Sequence, residues 1–387
     1  MDKIELMATS AFGIESILAE ELKWLGYNDL KVENGKVSFM ADQNAIARCN
    51  LWLRTADRLF IKVGQFKTLT FDELFEGTRA LPWDELIPEN AAFPVEGKSV
   101  KSKLFSVSDC QAIVKKAIVE KMKSKYKQNW FPEKGPRYRI QVSLLNDIAT
   151  LSIDTSGAGL HKRGYRLKTG DAPLKETLAA AMILLSRWKP DRALIDPFCG
   201  SGTISIEAAM IGRNIAPGLQ RDFAAQSWTN MKTRIWDQAR QEAEDLIDRE
   251  QPLGIFGFDI DQAAIDLARY HEAQAGFKGV LSFQRQSVTE LKSRYKYGYL
   301  IANPPYGERL SEKKEVLRLY KSMRQSLNQL DTWSFYILTS HLDFEKVFGR
   351  KADKKRKLYN GRILVNYYQY FGPKPLTLEG PFSKNNI

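Results

Sequence analysis

The stretch Asp196-Pro197-Phe198-Cys199-Gly200-Ser201-Gly202-Thr203 constrains what this chain can fold into more than any other. Ahead of it, Ala193-Leu194-Ile195 is short and apolar and reads as a buried strand. Behind it, residues 204–211 are rich in helix formers and close at Gly212. A strand passing through a small-residue turn into a helix is the first unit of a doubly wound α/β sheet. Two glycines around a serine let backbone approach a ligand where a Cβ would clash. The helix start adds unpaired N–H groups and partial positive charge. The spacing is neither the three-glycine dinucleotide fingerprint nor a phosphate loop ending in Gly-Lys-Ser/Thr. By itself the turn does not name its ligand; it is equally a plain tight turn.

A second stretch, Ile301-Ala302-Asn303-Pro304-Pro305-Tyr306-Gly307-Glu308-Arg309, follows about a hundred residues on. An Asn-Pro-Pro run alone would be a rigid turn. In this order, however, the two stretches resemble those of adenosylmethionine-dependent amino-methyltransferases, which methylate exocyclic amines of nucleobases. The chemistry fits the residue types. An exocyclic amine is a poor nucleophile because its lone pair is delocalised into the ring. Hydrogen bonds from its N–H groups to Asn303 Oδ1 and the Pro304 carbonyl would bias the nitrogen towards tetrahedral geometry and free the lone pair. Pro304 and Pro305 would fix both acceptors in one direction, and Tyr306 would stack on a flipped base. No metal or titrating base is required.

Charge and cysteine usage bound the rest. The chain has 387 residues, room for two or three domains. No apolar run approaches membrane-spanning length, and Met1-Asp2-Lys3-Ile4-Glu5 lacks the layout of a secretory signal. Cys49, Cys110 and Cys199 are scattered, without metal-ligand spacing. These features predict a cytoplasmic protein. A formal charge of +12 favours a polyanionic partner.

Residues 1–60 read as a small α+β unit, with a hairpin turning at Asn34-Gly35 and a helix carrying Ile14, Ile17, Leu18, Leu22 and Leu25 on one face. Residues 61–154 form a second α+β segment. It holds Lys98, Lys101, Lys103, Lys115, Lys116, Lys121, Lys123, Lys125 and Lys127 among few acids. Ser108 or Asp109 would cap a helix there, whose buried stripe is Ile113, Val114, Ala117, Ile118 and Met122. The lysines would then form its outer face, either plain solvated charge or an RNA-contacting surface. Through Ala8-Thr9-Ser10-Ala11-Phe12-Gly13-Ile14-Glu15 and Ser99-Val100-Lys101-Ser102-Lys103-Leu104-Phe105, this half resembles the ferredoxin-like plus THUMP arrangement of RNA-modifying enzymes. That resemblance implies binding of structured RNA.

Residues 155–171 read as a linker, with Lys162, Arg163 and Arg166 beside Tyr165 suited to phosphate contact and base stacking. His161 suits a loop hydrogen bond. The domain from residue 172 to 387 alternates strand and helix, implying a mostly parallel sheet with a late antiparallel hairpin. Pro173 fits a helix start, and residues 214–250 look like an insertion ending in a long helix. Lys351 to Lys357 reads as a basic loop between the last strands, either gripping phosphate or merely solvated. Glu308 and Arg309 would orient the loop, contact RNA or pair with one another.

The amino-methyltransferase resemblance implies S-adenosyl-L-methionine as cofactor and a Rossmann-like fold. An acid at the tip of the second strand would accept from both ribose hydroxyls; Asp259 stands there, with Asp261 sharing that task or capping the next helix. Asp196 would lie near the methionine amino group. The family's adenine-binding Asp is absent, so Ser287 or Gln286 of Gln284-Arg285-Gln286-Ser287-Val288 would stand in. The resemblance thus assigns Asp196, Phe198, Gly200, Gly202, Thr203, Asp259, Ile260, Ser287 and Asn303 to the cofactor. It makes Leu174, Lys175 and Thr177 its neighbours, with helix capping and packing as their other role. Asn303, Pro304, Pro305 and Tyr306 are the catalytic set, and Lys101, Lys103, Lys115, Lys162, Arg163, Arg166 and Arg309 the RNA-binding set.

Asn-Pro-Pro-Tyr serves adenine N6 and guanine N2 transfer alike. Its extension to Gly307-Glu308-Arg309, together with Leu160-His161-Lys162-Arg163-Gly164-Tyr165-Arg166 and Ala172-Pro173-Leu174-Lys175-Glu176-Thr177, resembles the RlmL-type (YpsC-like) bacterial methyltransferases. Membership would imply N2-methylation of guanine in 23S ribosomal RNA, free or in an assembling particle. The alternatives are an adenine-N6 DNA methyltransferase and a non-catalytic RNA-binding assembly protein. No helix-turn-helix module supports the first; intact Gly200, Gly202, Asp259 and Asn303 oppose the second.

Overall fold

The computed structural model describes residues 3–168, 174–307, 312–375 and 379–384. Two compact units account for the chain. Met1–Ser10, Glu21–Leu160 and Arg221–Glu242 form the first; Ala11–Glu20, His161–Gln220 and Ala243–Ile387 form the second.

The first unit is built on strands β1 (Ile4–Thr9), β2 (Leu30–Glu33), β3 (Lys36–Ala41), β4 (Arg58–Lys67), β5 (Val95–Val100), β6 (Ile140–Leu145) and β7 (Ile148–Asp154). Helices α1 (Glu15–Trp24), α2 (Asn44–Trp52), α3 (Phe71–Arg79), α4 (Trp83–Leu86) and α5 (Val107–Tyr126) lie between them, the unit boundary falling inside α1. The strands form one sheet in the order β2-β3-β1-β4-β7-β6-β5. Its β2–β3 hairpin turns at Asn34-Gly35, where Gly35 takes φ +73°, the backbone an Asn-Gly hairpin turn requires. Pairing of β4 with β7 makes the two front segments share that sheet. Helix α5 buries Cys110, Val114, Ala117, Ile118 and Met122, while Ile113 is half-buried. Its N-cap position is Ser106, so Ser108 and Asp109 fall in the first turn rather than capping it.

Residues 221–242 belong to this unit rather than with the later strands, as aromatic packing explains. Trp228 stacks on Tyr138 with centroids 4.5 Å apart and donates from Nε1 to the Arg137 carbonyl at 3.0 Å. Phe223 stacks on Trp236.

The second unit carries strands β8 (Leu194–Asp196), β9 (Ile255–Asp259), β10 (Ser282–Arg285), β11 (Tyr299–Ala302), β12 (Ser334–Thr339), β13 (Lys354–Asn360) and β14 (Ile363–Tyr370). Its helices are α6 (Glu176–Ser186), α7 (Thr203–Gly212), α8 (Thr233–Asp245, which the unit boundary crosses), α9 (Gln262–Gln274), α10 (Glu312–Leu327) and α11 (Phe344–Phe348). The sheet order is β10-β9-β8-β11-β12-β14-β13. β8 to β12 are parallel; β14 runs antiparallel to β12 and to β13. Both faces are covered, so alternate residues feed two cores. Leu194, Ile301, Tyr336 and Leu338 enter one; Ala193, Ile195, Leu300, Ala302, Phe335 and Ile337 enter the other. This explains why these strands read as continuous apolar runs. Because β8 lies between β9 and β11, the strand order reverses there, and the carboxyl ends of β8 and β11 open a crevice, the usual ligand position in such sheets. Among the described residues, no helix is long and apolar enough to cross a membrane.

Candidate active site

The turn from β8 into α7 places Gly200 at φ +49° and Gly202 at φ +82°. A Cβ on Gly202 would also lie 3.1 Å from both Ala268 Cβ and Phe283 Cζ, so this position excludes a side chain twice over. Asp259, at the end of β9, holds the turn: its Oδ2 accepts from Gly200 N at 3.0 Å, and its Oδ1 from Asp261 N at 3.1 Å. Each oxygen keeps lone-pair capacity for a further donor. Asp261 Oδ1 accepts from Ala263 N at 2.9 Å and caps α9.

A cavity of about 730 Å³ opens at this point, within the range of small-molecule sites. Asp196, Phe198, Gly200, Thr203, Asp259, Ile260, Ser287, Asn303 and Pro305 line it; Gly202, Pro304 and Tyr306 do not. Leu174, Asp261, Leu267 and Leu319 complete its wall. Ile260 is 68% exposed, an apolar side chain left open at the cavity edge. Ser287 Oγ accepts from Thr289 N at 3.3 Å, whereas the Gln286 amide turns to the Glu290 carbonyl.

Asp196 is buried, and among the described residues no cation pairs with it. Burial pushes its carboxyl up to about 8, with the Asp259 charge adding to the rise and the Phe198 N–H opposing it. An ammonium group brought beside it would favour the carboxylate and draw the proton off.

Beyond β11, Asn303 is half-buried and Pro304 buried. Tyr306 Oη donates to Asn303 Oδ1 at 2.6 Å, and Asn360 Nδ2, at the end of β13, lies 3.5 Å from Tyr306 Oη. Tyr320 Oη on α10 donates to the Pro305 carbonyl at 2.9 Å and lies 2.8 Å from Thr339 Oγ1. The prolines therefore act with a tyrosine brace that the sequence did not advertise. Glu308 and Arg309 lie outside the described residues, as do Ala172 and Pro173.

The segment read as an RNA-facing linker turns inward. Arg163 is 2% exposed and grips Glu207 in two hydrogen bonds of 3.1 Å each, which corrects its assignment to RNA. Tyr165 is equally buried and cannot stack on a base. Arg166 pairs with Glu176 at 3.2 Å and donates to the Leu174 carbonyl and to Thr203 Oγ1. It ties the segment to the cavity wall instead of reaching for phosphate. Lys162, Gly164, Leu167 and Lys168 are the exposed residues here; nothing local in the sequence marks Arg163 as buried, because its partner Glu207 is distant in the chain. His271 lies buried with Nδ1 3.1 Å from the Ser201 carbonyl and Nε2 3.0 Å from that of Lys168. A neutral ring donates to one of them at a time. At the start of α6, Leu174 reaches the cavity, Thr177 is buried and Lys175 exposed; neither of the latter lines the cavity.

In the first unit, Lys101 and Lys103 are exposed on the loop between β5 and α5, beside Phe105, which is 82% exposed. Lys115 is not free for RNA: it donates to the Phe93 carbonyl at 3.0 Å, pairs with Glu133 and lies over the Phe93 ring. Lys121 and Lys123 pair with Asp84 and Glu120. The basic run near residue 354 is largely strand β13 rather than a loop. Among the described residues, no three His, Cys, Asp or Glu side chains are grouped to hold a metal.

Comparison with known proteins agrees with this architecture. Residues 163–369 match the family model described as RMKL-like, methyltransferase domain. Residues 5–60 match an RlmL ferredoxin-like domain and residues 69–154 a THUMP domain. A putative RNA methyltransferase YpsC of Bacillus subtilis is 53% identical, over 96% of this chain and 97% of that protein. A ribosomal RNA large subunit methyltransferase K/L of Syntrophotalea carbinolica is 34% identical over 94% of this chain, which spans 53% of that longer protein. Among solved structures, a predicted N6-adenine-specific DNA methylase from Listeria monocytogenes is 54% identical, with TM-score 0.92, covering 96% of this chain and 97% of that one. SMU.472, a putative methyltransferase complexed with SAH, is 47% identical with TM-score 0.92, covering 97% of this chain and 100% of that one. With its model matched over more than half the chain and a near full-length relative above half identity, the chain belongs to the RMKL-like family of RNA methyltransferases, carrying an RlmL-type ferredoxin-like domain and a THUMP domain in front.

Proposed function

We propose that this protein transfers a methyl group from S-adenosyl-L-methionine to the exocyclic N2 amine of a guanine in 23S ribosomal RNA. The observation that carries the reading is one cavity at the β8/β11 crevice, lined by Asp196, Asp259 and Asn303 together. Its residues suit the cofactor. Asp196 offers a buried carboxyl for an ammonium, Asp259 two partly used oxygens for ribose hydroxyls, and Ile260 an exposed apolar face for an adenine ring. Ser287 is the polar group left for the adenine edge.

When bound, the cofactor supplies an electrophilic methyl on a sulfonium. The chain's own residues do the rest. Asn303 Oδ1 and the Pro304 carbonyl accept the amine's two N–H groups and localise its lone pair. Tyr320, bonded to the Pro305 carbonyl, holds that backbone in place, so orientation is set before the base arrives. Tyr306 stacks on the extracted base, and the methylated amine, acidic once it carries positive charge, loses its proton to water. Lys101, Lys103, Lys162 and Arg309 are the remaining RNA contacts in this reading, with exposed Phe105 a stacking surface between phosphates. The names of the YpsC and K/L relatives support RNA, and the latter ribosomal RNA, as the substrate. The DNA-methylase description of the Listeria protein supports the rival reading.

The test is methyl transfer from labelled adenosylmethionine to ribosomal RNA of a strain lacking the gene, with duplex DNA alongside and products digested to nucleosides. Label in N2-methylguanosine is expected. Label confined to N6-methyladenine of DNA would overturn the reading.

A further inference from the structure

Resting on that reading, we propose that Asn360, at the tip of the β13–β14 hairpin, is the residue that recognises guanine, by pairing its carboxamide with N1–H and O6 of the flipped base. The placement comes from two contacts in series. Tyr306 Oη donates to Asn303 Oδ1 at 2.6 Å, and Asn360 Nδ2 lies 3.5 Å from the same hydroxyl. In the empty site the hydroxyl therefore stands where the target amine must sit to reach Asn303. Asn360 is the next polar side chain along. A base that displaces the hydroxyl and gives its amine to Asn303 presents its adjacent ring edge to Asn360.

That edge is where the two candidate amines differ. Beside N2 of guanine come N1–H, a donor, and then O6, an acceptor. Beside N6 of adenine comes N1, an acceptor without hydrogen, and then a C–H. A carboxamide carries one acceptor and two donors, so Asn360 can satisfy N1–H and O6 of guanine at once. Against adenine only its NH2 finds a partner, and its oxygen faces carbon. Asn303 and Pro304 accept from any exocyclic amine and carry no such preference, so discrimination has to come from elsewhere in the site.

The hairpin is built to hold this group. β13 and β14 pair from Lys354–Gln369 to Asn360–Ile363. Leu358 and Val365 anchor the hairpin in the core, and Gly361, at φ +63°, makes the turn immediately after Asn360. The side chain is half-buried rather than waving in solvent. Arg362, in the turn that follows, is exposed, where a backbone phosphate of the RNA would run.

The experiment uses the full chain, labelled adenosylmethionine and 23S RNA. Once the methylated guanine is mapped with the wild-type protein, a second RNA carrying 2-aminopurine at that position is assembled by splinted ligation. 2-Aminopurine keeps the exocyclic amine and lacks both N1–H and O6. Wild-type protein is expected to methylate guanine at least about 100-fold faster, as expected for a site with unpaired polar groups facing the analogue. Asn360→Ala should bring the two rates within about threefold, mainly by slowing guanine. Asn360→Asp, which keeps an acceptor for N1–H and loses the donor for O6, should fall between. A general loosening of the hairpin would slow both substrates together and leave the ratio unchanged. An Asn360→Ala protein that keeps the wild-type ratio overturns the proposal. Failure of the guanine reading would show differently, as wild-type label in adenine before any variant is made.

Discussion

The phenol of Tyr306 donates a 2.6 Å hydrogen bond to Asn303 Oδ1, the oxygen assigned to the target amine. It keeps that carboxamide oriented and satisfied while no base is present. Tyr306→Phe should retain the stacking ring and remove the hydroxyl that the amine has to displace, lowering KM for RNA by up to about tenfold, as one hydrogen bond of about 1 kcal/mol allows. Tyr306→Ala, which removes the stacking surface too, should raise KM for RNA instead, stacking being worth roughly 1–3 kcal/mol. Steady-state kinetics on ribosomal RNA separate the two effects. Asn303→Ala should cost about 10²–10³ in kcat, the usual cost of removing a preorganised polar group.

Asp196 gives a proton signature. Its carboxyl, at about 8 in the empty site, is protonated at pH 7, and pairing with an ammonium requires the carboxylate. Cofactor binding at pH 7 should therefore release close to one proton, and affinity should strengthen as pH rises towards about 8. Calorimetry in buffers of different ionisation enthalpy counts that proton, and Asp196→Asn should abolish it.

The same group costs stability. A carboxyl whose folded pKa lies above its unfolded value holds its proton more tightly in the folded state. The fold then loses stability as pH rises from the ordinary carboxylate range to about 8, and the loss is level beyond. Asp196→Asn should raise the melting temperature of the cofactor-free protein at pH 7.5, by about 2–4 °C for each kcal/mol regained. At pH 4.5 the difference from wild type should shrink.

Arg163 and Glu207 form a buried bidentate pair. Arg163→Ala strands the Glu207 carboxylate and should destabilise the protein by about 3–5 kcal/mol, read as a lower urea midpoint. An unchanged midpoint with weakened RNA binding would restore Arg163 to the RNA surface.

The salt dependence of RNA binding should report the exposed loop. Replacing Lys101 and Lys103 together by Ala should reduce the slope of log K against log salt by about 1.4–1.8. Lys115→Ala, whose ammonium is engaged by Phe93 and Glu133, should leave the slope unchanged and lower stability instead.

The sequence by itself determined what local chemistry dictates. Gly200 and Gly202 are legible because only glycine adopts that turn cheaply, and at Gly202 a side chain would also meet Ala268 and Phe283. The strands around them are legible because burial on both faces demands unbroken apolar runs. The Asn34-Gly35 hairpin and the buried stripe of α5 follow from turn geometry and helical period. Only the tertiary structure decided which charges are free. Arg163 and Lys115 look like phosphate contacts in one dimension, and an ion pair depends on a partner 44 or 18 residues away. Tertiary structure also decided that residues 221–242 pack with the first unit, through Trp228 on Tyr138. It set Tyr320 and Asn360 beside the Asn-Pro-Pro-Tyr loop as well. Tyr320 has no local signature and Asn360-Gly361 reads only as a hairpin turn, because the role of each exists only where the strand order brings separate parts of the chain to one crevice.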